Sequence, residues 1–119
     1  MRDFRSLKVW EKAHDFVLSA YTATAKFPRE ELYGLTSQIR RACMSIPANI
    51  AEGCGRSGEP EFTRFLHIGL GSASEAEYQL LLAHDLGFLT PSDHKKLVGK
   101  ITEVKRMLTA LILKLKADR

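Results

Sequence analysis

Cysteine is scarce. Two residues in a chain of 119 are too few for a disulfide scaffold. The two, Cys43 and Cys54, fall in one predicted helix. At 1.5 Å per residue they stand roughly 16 Å apart along its axis, beyond disulfide reach. Both are read as free thiols, Cys43 as a small core residue and Cys54 at the helix end. Long apolar runs are missing too. Stretches such as Leu80-Leu81-Leu82-Ala83 are far short of a membrane span. The opening Met1-Arg2-Asp3-Phe4-Arg5 is charged and no apolar stretch follows it. That pattern predicts no secretory signal and a reducing, cytoplasmic setting. Strand-like alternation, low-complexity tracts and sequence repeats are absent as well.

Ligand-bearing motifs are equally sparse. No C-x-x-C or H-x-x-x-H spacing supports a zinc site. Glu11-Lys12-Ala13-His14 is a single E-x-x-H, whereas di-iron bundles use two such pairs and two further Glu. His14 therefore reads as a core or interface histidine. Ser72 and Ser74 lie mid-helix, not in the strand-to-helix elbow that a nucleophilic serine needs. Nothing places a base beside Cys43. No catalytic, metal-binding or cofactor-binding residue is assigned, and the chain is not expected to be an enzyme. Gly53-Cys54-Gly55-Arg56-Ser57-Gly58 matches G-x-G-x-x-G, but the dinucleotide site requires a preceding strand. Here a helix precedes it, so the stretch reads as an interhelical turn. Its backbone N–H groups, with Arg56, form a weak phosphate candidate, which Glu59 and Glu61 would oppose.

What remains is the pattern of a small helical protein. Hydrophobic residues make up 45% and charged residues 27%, as in an ordinary folded domain. Breakers and caps divide the chain into four helical segments: about Ser6 to Lys26, Tyr33 to Gly53, Glu59 to Leu86 and Pro91 to Ala117. Phe27-Pro28 disfavours helix at Phe27. Gly87 suits a left-handed cap. Thr90-Pro91-Ser92-Asp93 reads as an N-cap, a first-turn Pro and a first-turn acid.

Each segment has an apolar stripe whose steps average about 3.5 residues, the spacing that favours bundle packing. The stripes are Leu7, Trp10, His14, Val17, Tyr21 and Thr24; then Leu35, Ile39, Ala42, Ile46 and Ile50; then Phe62, Leu66, Gly69, Ala73, Ala76, Leu80 and Ala83; then Leu97, Ile101, Val104, Leu108, Leu111 and Leu115. With short connections, this predicts an all-α, antiparallel up-down-up-down four-helix bundle in one domain over residues 1–119.

Three features exceed a minimal bundle. Val9, Phe16, Ile68, Leu70, Leu81, Leu82 and Leu113 lie outside these stripes. A helix apolar on more than one face is usually buried on more than one face, which predicts a homo-oligomer. Gly69, Gly71, Ser72, Ala73, Ser74 and Ala76 let a neighbouring backbone approach. In the second segment Pro47 removes one backbone donor and is expected to kink the helix. Beside that segment's stripe run Gln38, Arg41, Ser45, Asn49 and Glu52. They form either a hydrogen-bonded seam or a solvated face. If a seam, Arg41 and Glu52 need partners from another helix or subunit, and Glu75 is the candidate for Arg41.

Charge is uneven. The chain has 18 Lys and Arg against 14 Asp and Glu, a formal excess of four, with a pI near 9.2. From residue 88 onward there are eight basic and three acidic residues. Such clustering is a footprint of phosphate binding, and it makes Lys95, Lys96 and Lys100, with Arg56, candidate RNA- or DNA-binding residues. The alternative is a solubilising helix face. No helix-turn-helix, zinc finger or aromatic RNA-binding motif accompanies it. A metal- or small-molecule-binding bundle and a purely structural adaptor stand as alternatives.

Several motifs fall in order along the chain. They are Phe4 to Trp10, Gln38-Ile39-Arg40-Arg41-Ala42, Ser45 to Gly53, Gly55-Arg56, Phe62-Thr63-Arg64-Phe65-Leu66 and Gly71-Ser72-Ala73-Ser74-Glu75. Together they resemble the four-helix-bundle family of proteins encoded within intervening sequences of 23S ribosomal RNA genes. The resemblance implies a homopentameric ring. It also implies kinship with the accessory protein of diversity-generating retroelements, a basic pentamer that binds nucleic acid and a reverse transcriptase. Arg41, Asn49, Glu52, Arg56, Ser72 and Glu75 lie in the family motifs, which makes them candidate folding and assembly determinants.

Overall fold

The computed structural model describes residues 2–118. Among them the regular elements are four α-helices and two short 3-10 turns, with no strand. The helices are α1 (Lys8–Thr24), α2 (Leu35–Cys54), α3 (Glu59–Asp85) and α4 (Pro91–Ala117). None is long and apolar enough to cross a membrane.

The boundaries follow local chemistry. Residues 4–6 form a 3-10 turn rather than the start of α1, because the Asp3 carboxylate accepts from Arg5 N at 3.0 Å. Residues 29–31 form another, and Glu31 then caps α2 by accepting from Leu35 N at 3.1 Å. Thr90 Oγ1 accepts from Asp93 N at 3.0 Å, the expected cap of α4. Gly87 follows α3 with φ +81°, a conformation glycine adopts without strain. α2 runs unbroken through the buried Pro47.

The helices pack in the cyclic order α1–α2–α3–α4–α1 around one apolar core. Phe16, Ile39, Ile46, Ile50, Phe62, Leu66, Leu80, Leu97, Ile101 and Leu108 are its fully buried large members. The stripes expected for the second and third segments lie inside, except that Leu35 is half-buried. In α4, Ile112 is buried and Leu111 is half-buried.

The first stripe is a correction. α1 turns Val9, Ala13, Phe16, Ala20, Ala23 and Thr24 inward. Trp10 and Val17 are only half-buried, and His14 and Tyr21 are exposed. Both arcs have steps of three and four, so spacing could not separate them. Three alanines allow α1 to approach its neighbours closely. Three of the displaced residues, Trp10, His14 and Tyr21, have polar tips that sit better at a wet rim. Trp10 stacks on His14 there, with centroids 5.0 Å apart. Val9 and Phe16 are thus core residues, not surplus.

Cys43 and Cys54 are free and buried. Burial pushes the Cys43 thiol up to about 12, so it is protonated and a poor nucleophile at neutral pH.

Candidate functional site

The α2–α3 junction is drawn tight by glycine. A Cβ on Gly53 would stand 2.9 Å from Phe65 Cβ and 3.3 Å from the Phe62 carbonyl oxygen. Where the backbones come this close, only short side chains fit along the outer edge. Ser45 Oγ and Ser72 Oγ share a 2.8 Å hydrogen bond across it. Asn49 Nδ2 donates to the Ser45 carbonyl at 2.7 Å and to Ser45 Oγ at 2.9 Å. The expected seam thus has a hydrogen-bonded centre. It is built from neutral groups, which tolerate partial burial better than charges do.

The charged members behave differently. Glu52 accepts from Arg56 at 2.7 Å, one turn along. Glu75 accepts from Gln79 Nε2 at 3.2 Å. No ion pair joins Arg41 to Glu75 within the chain. Among the described residues, Arg41 has no hydrogen bond, ion pair or ring contact, and it is exposed. Gln79 Oε1 is buried without a donor. On a single chain, this face leaves polar capacity unused.

It also leaves apolar area open. Met44 is 51%, Ile68 41% and Tyr78 61% exposed. Ala48 and Gly71 on the same two helices are exposed as well. A Cβ on Gly71 would meet nothing within 4 Å. Of the residues expected to spill over, Ile68, Leu81 and Leu113 are exposed, while Leu70 and Leu82 are half-buried.

The candidate phosphate-binding residues are not brought together. Lys95, Lys96 and Lys100 lie in the first three turns of α4, just after the C-terminal end of α3. Arg56 precedes its N-terminal end. α3, 27 residues and roughly 40 Å long at 1.5 Å per residue, lies between Arg56 and the start of α4. Lys100 is hydrogen-bonded to Asp15, and that contact is the main reason the Asp15 carboxyl is held below its usual range. Arg56 is taken up by Glu52 and lies 5.0 Å from the Phe65 ring centroid. Lys95 and Lys96 remain exposed. Arg119, counted in the basic excess, lies outside the described residues, as does Met1.

The remaining alternative sites are equally plain. Glu11 and His14 both face solvent. Among the described residues, no group of three or more His, Cys, Asp and Glu side chains is placed to hold a metal. The Gly-rich stretch ends α2 and turns into α3, where Gly58 has φ +81°. The most apolar hollow, about 400 Å³, lies between α3 and α4 and is lined by Ser74, Glu77, Tyr78, Leu81, His94 and Val98.

Residues 5–110 match the family model described as the 23S rRNA-intervening sequence protein. The chain belongs to that family. The fold agrees with a solved structure of a protein of unknown function from the S23 ribosomal protein family of Bacteroides thetaiotaomicron. The TM-score is 0.81 at 27% identity, over 87% of this chain and 94% of that one. No curated protein matches the chain. The matched span includes the whole α2–α3 face and most of α4.

Two structural contacts were missed in the sequence. Arg40 Nε donates to Thr24 Oγ1 at 2.9 Å and its guanidinium lies over Tyr21, latching α2 to α1. Glu31 caps α2 from four residues away. The signal for the cap was an acid just before the helix. The signal for the latch was the short connection, which brings the end of α1 beside the start of α2.

Proposed function

We propose that this protein is a non-enzymatic, self-assembling helical bundle that recognises macromolecules rather than transforming small ones. Its protomer is a single antiparallel up-down-up-down domain, and it works in the cytoplasm. Support for the antiparallel order comes from cross-helix pairs whose numbers rise on one helix as they fall on the other. Lys26–Asp93, Asp15–Lys100 and Lys12–Glu103 link α1 and its C-terminal extension to α4. The observation that carries the assembly reading is the set of exposed apolar side chains on α2 and α3, Met44, Ile68 and Tyr78. Large apolar side chains left in water on two neighbouring helices support an interaction surface there. The ring of five implied by the family resemblance is the assembly we propose.

Native mass spectrometry of the purified chain tests this, with a pentamer as the expected mass. A monomer at every concentration would sink it.

RNA or DNA is the second candidate partner, favoured by the exposure of Lys95 and Lys96. A ring would repeat those charges in every protomer and sum their field. Retention of mixed RNA and DNA pools should fall with rising salt. It should weaken in the Lys95→Glu/Lys96→Glu variant. No retention at low salt would remove nucleic acid and leave a protein partner.

A further inference from the structure

We infer that the outward face of α4 is a docking surface for an acidic α-helix of another protein. The inference rests on the macromolecule-recognition reading above and names one surface and the chemistry of its partner.

α4 packs on α1 and α3, and the charges on its flanks are matched there. Lys100 meets Asp15, and Lys105 meets Glu77. The two acids within the helix, Asp93 and Glu103, meet Lys26 and Lys12. The charges left over are of one sign. Lys95, Lys96, Arg106, Lys114 and Lys116 are exposed and have no counterion among the described residues. A face kept polar only for solubility mixes both signs. This one gathers cations, and the helix's acids are turned away from it.

The relief of the face points to a helix as its occupant. Lys95 and Arg106 are eleven residues apart, three turns and roughly 16 Å along the axis, so they share one line. Between them the ground is low. Gly99 and Thr102 are exposed there, and a Cβ on Gly99 would meet nothing within 4 Å. Two turns beyond Arg106, Leu113 is 61% exposed and offers an apolar anchor. Short side chains let a second helix pack at the usual distance of roughly 8–10 Å. Carboxylates three turns apart on that helix would meet Lys95 and Arg106, and an aliphatic residue would cover Leu113.

Nucleic acid fits this surface less well. A duplex presents a charge about every 1.7 Å of its axis, whereas Lys95 and Arg106 stand three turns apart. Single strands are held by aromatic platforms, and α4 has no Phe, Trp or Tyr. Phosphates gain nothing from Leu113. A basic partner would be repelled along the whole face.

Fluorescence anisotropy with the full chain tests the inference, using a labelled helical peptide of Glu, Ala and Leu as the probe. Its carboxylates lie on one face, beside a row of Leu. A scrambled peptide of the same composition and a single-stranded RNA are the comparisons. The ordered peptide should bind about tenfold more tightly than the scrambled one. Arg106→Glu should raise its dissociation constant about tenfold or more. Leu113→Ser removes the anchor and Gly99→Leu fills the low ground. Each should raise the constant about threefold or more. Retention of RNA should respond to Arg106→Glu alone. Circular dichroism checks that each variant is folded. If Arg106→Glu unfolds, Lys95→Glu/Lys96→Glu takes its place.

Equal binding of the two peptides would reduce the face to a diffuse positive field and overturn the inference. Ordered-peptide binding that ignores both Leu113→Ser and Gly99→Leu would do the same. Retention of RNA without retention of the peptide would also overturn it, and would leave the macromolecule-recognition reading intact. A chain that binds neither overturns the inference and the macromolecule-recognition reading of α4 together.

Discussion

The α2–α3 seam and the seams around α4 hold helices together by different chemistry. Between α2 and α3, backbones meet at Gly53, and the edge is closed by Ser45, Ser72 and Asn49. Around α4, long charged side chains bridge the helices: Lys12 to Glu103, Lys26 to Asp93 and Lys100 to Asp15 on the α1 side, Lys105 to Glu77 on the α3 side. The neutral seam depends on fit. The charged seams depend on solvent and salt. It follows that part of α4's positive charge is already used to fasten the protomer, while the α2–α3 face keeps unused capacity for a partner.

The comparison can be broken most strongly at the glycines. Gly53→Ala should destabilise the chain by about 1–3 kcal/mol, the usual cost of overpacking, because its Cβ would meet Phe65 Cβ at 2.9 Å. Thermal or urea unfolding reads this. A neutral or stabilising result would mean the two helices are not held at that distance. Ser72→Ala should cost about 0.5–1.5 kcal/mol, the worth of one hydrogen bond, and that loss should be nearly insensitive to salt. Gly99→Ala inverts the first result. Gly99 is an exposed interior residue of α4, and a Cβ there meets nothing within 4 Å. The added methyl should stabilise by about 0.5–1 kcal/mol through helix propensity alone.

Lys100→Gln gives the smallest expected effect, about 0.2–1 kcal/mol for an exposed pair. Unlike the serine loss, it should shrink as salt screens it. The pH dependence has a definite sign. Asp15 is held below its ordinary carboxylate value, chiefly by the hydrogen bond from Lys100. Its contribution is present above the unfolded-state value near 3.8 and is lost as pH falls through the lower folded value. Lys100→Gln should therefore lose less stability than the native chain on acidification below about pH 4. Parallel acid limbs for the two proteins would show that the pair contributes nothing.

How much was legible in the sequence varied along the chain for physical reasons. The start of α3 and both ends of α4 could be placed to the residue, because Gly58, Thr90 and Pro91 mark the two starts with distinct backbone chemistry and α4 runs on to the last few residues. The apolar stripe of α3 was visible from its steps of three and four, although Ile68, Tyr78 and Leu81 lie exposed outside it. α1 has two arcs of apolar and aromatic residues, and only packing distance selects between them, so Trp10 and Tyr21 were placed inside when Ala13 and Ala20 belong there. The seam's residue types were visible at Ser45, Asn49 and Ser72. Their partners were not, since a long side chain such as Arg41 can reach in many directions. The basic excess of α4 was visible as a count. Its partial neutralisation by Asp15 and Glu77 required the neighbouring helices.

Hydroxyl-radical footprinting of the native protein tests the central claim most directly, by asking whether the α2–α3 face is covered when copies meet. Met44 and Tyr78 are open on one chain, and Tyr33, 93% exposed in the connection before α2, is the internal reference. At concentrations where the chain assembles, Met44 and Tyr78 should be protected while Tyr33 stays reactive. Ile68→Glu, which puts a charge on that face, should restore their reactivity. If Met44 and Tyr78 in the assembled native protein react as fast as they do in the dispersed variant, the assembly uses another face and the account is contradicted.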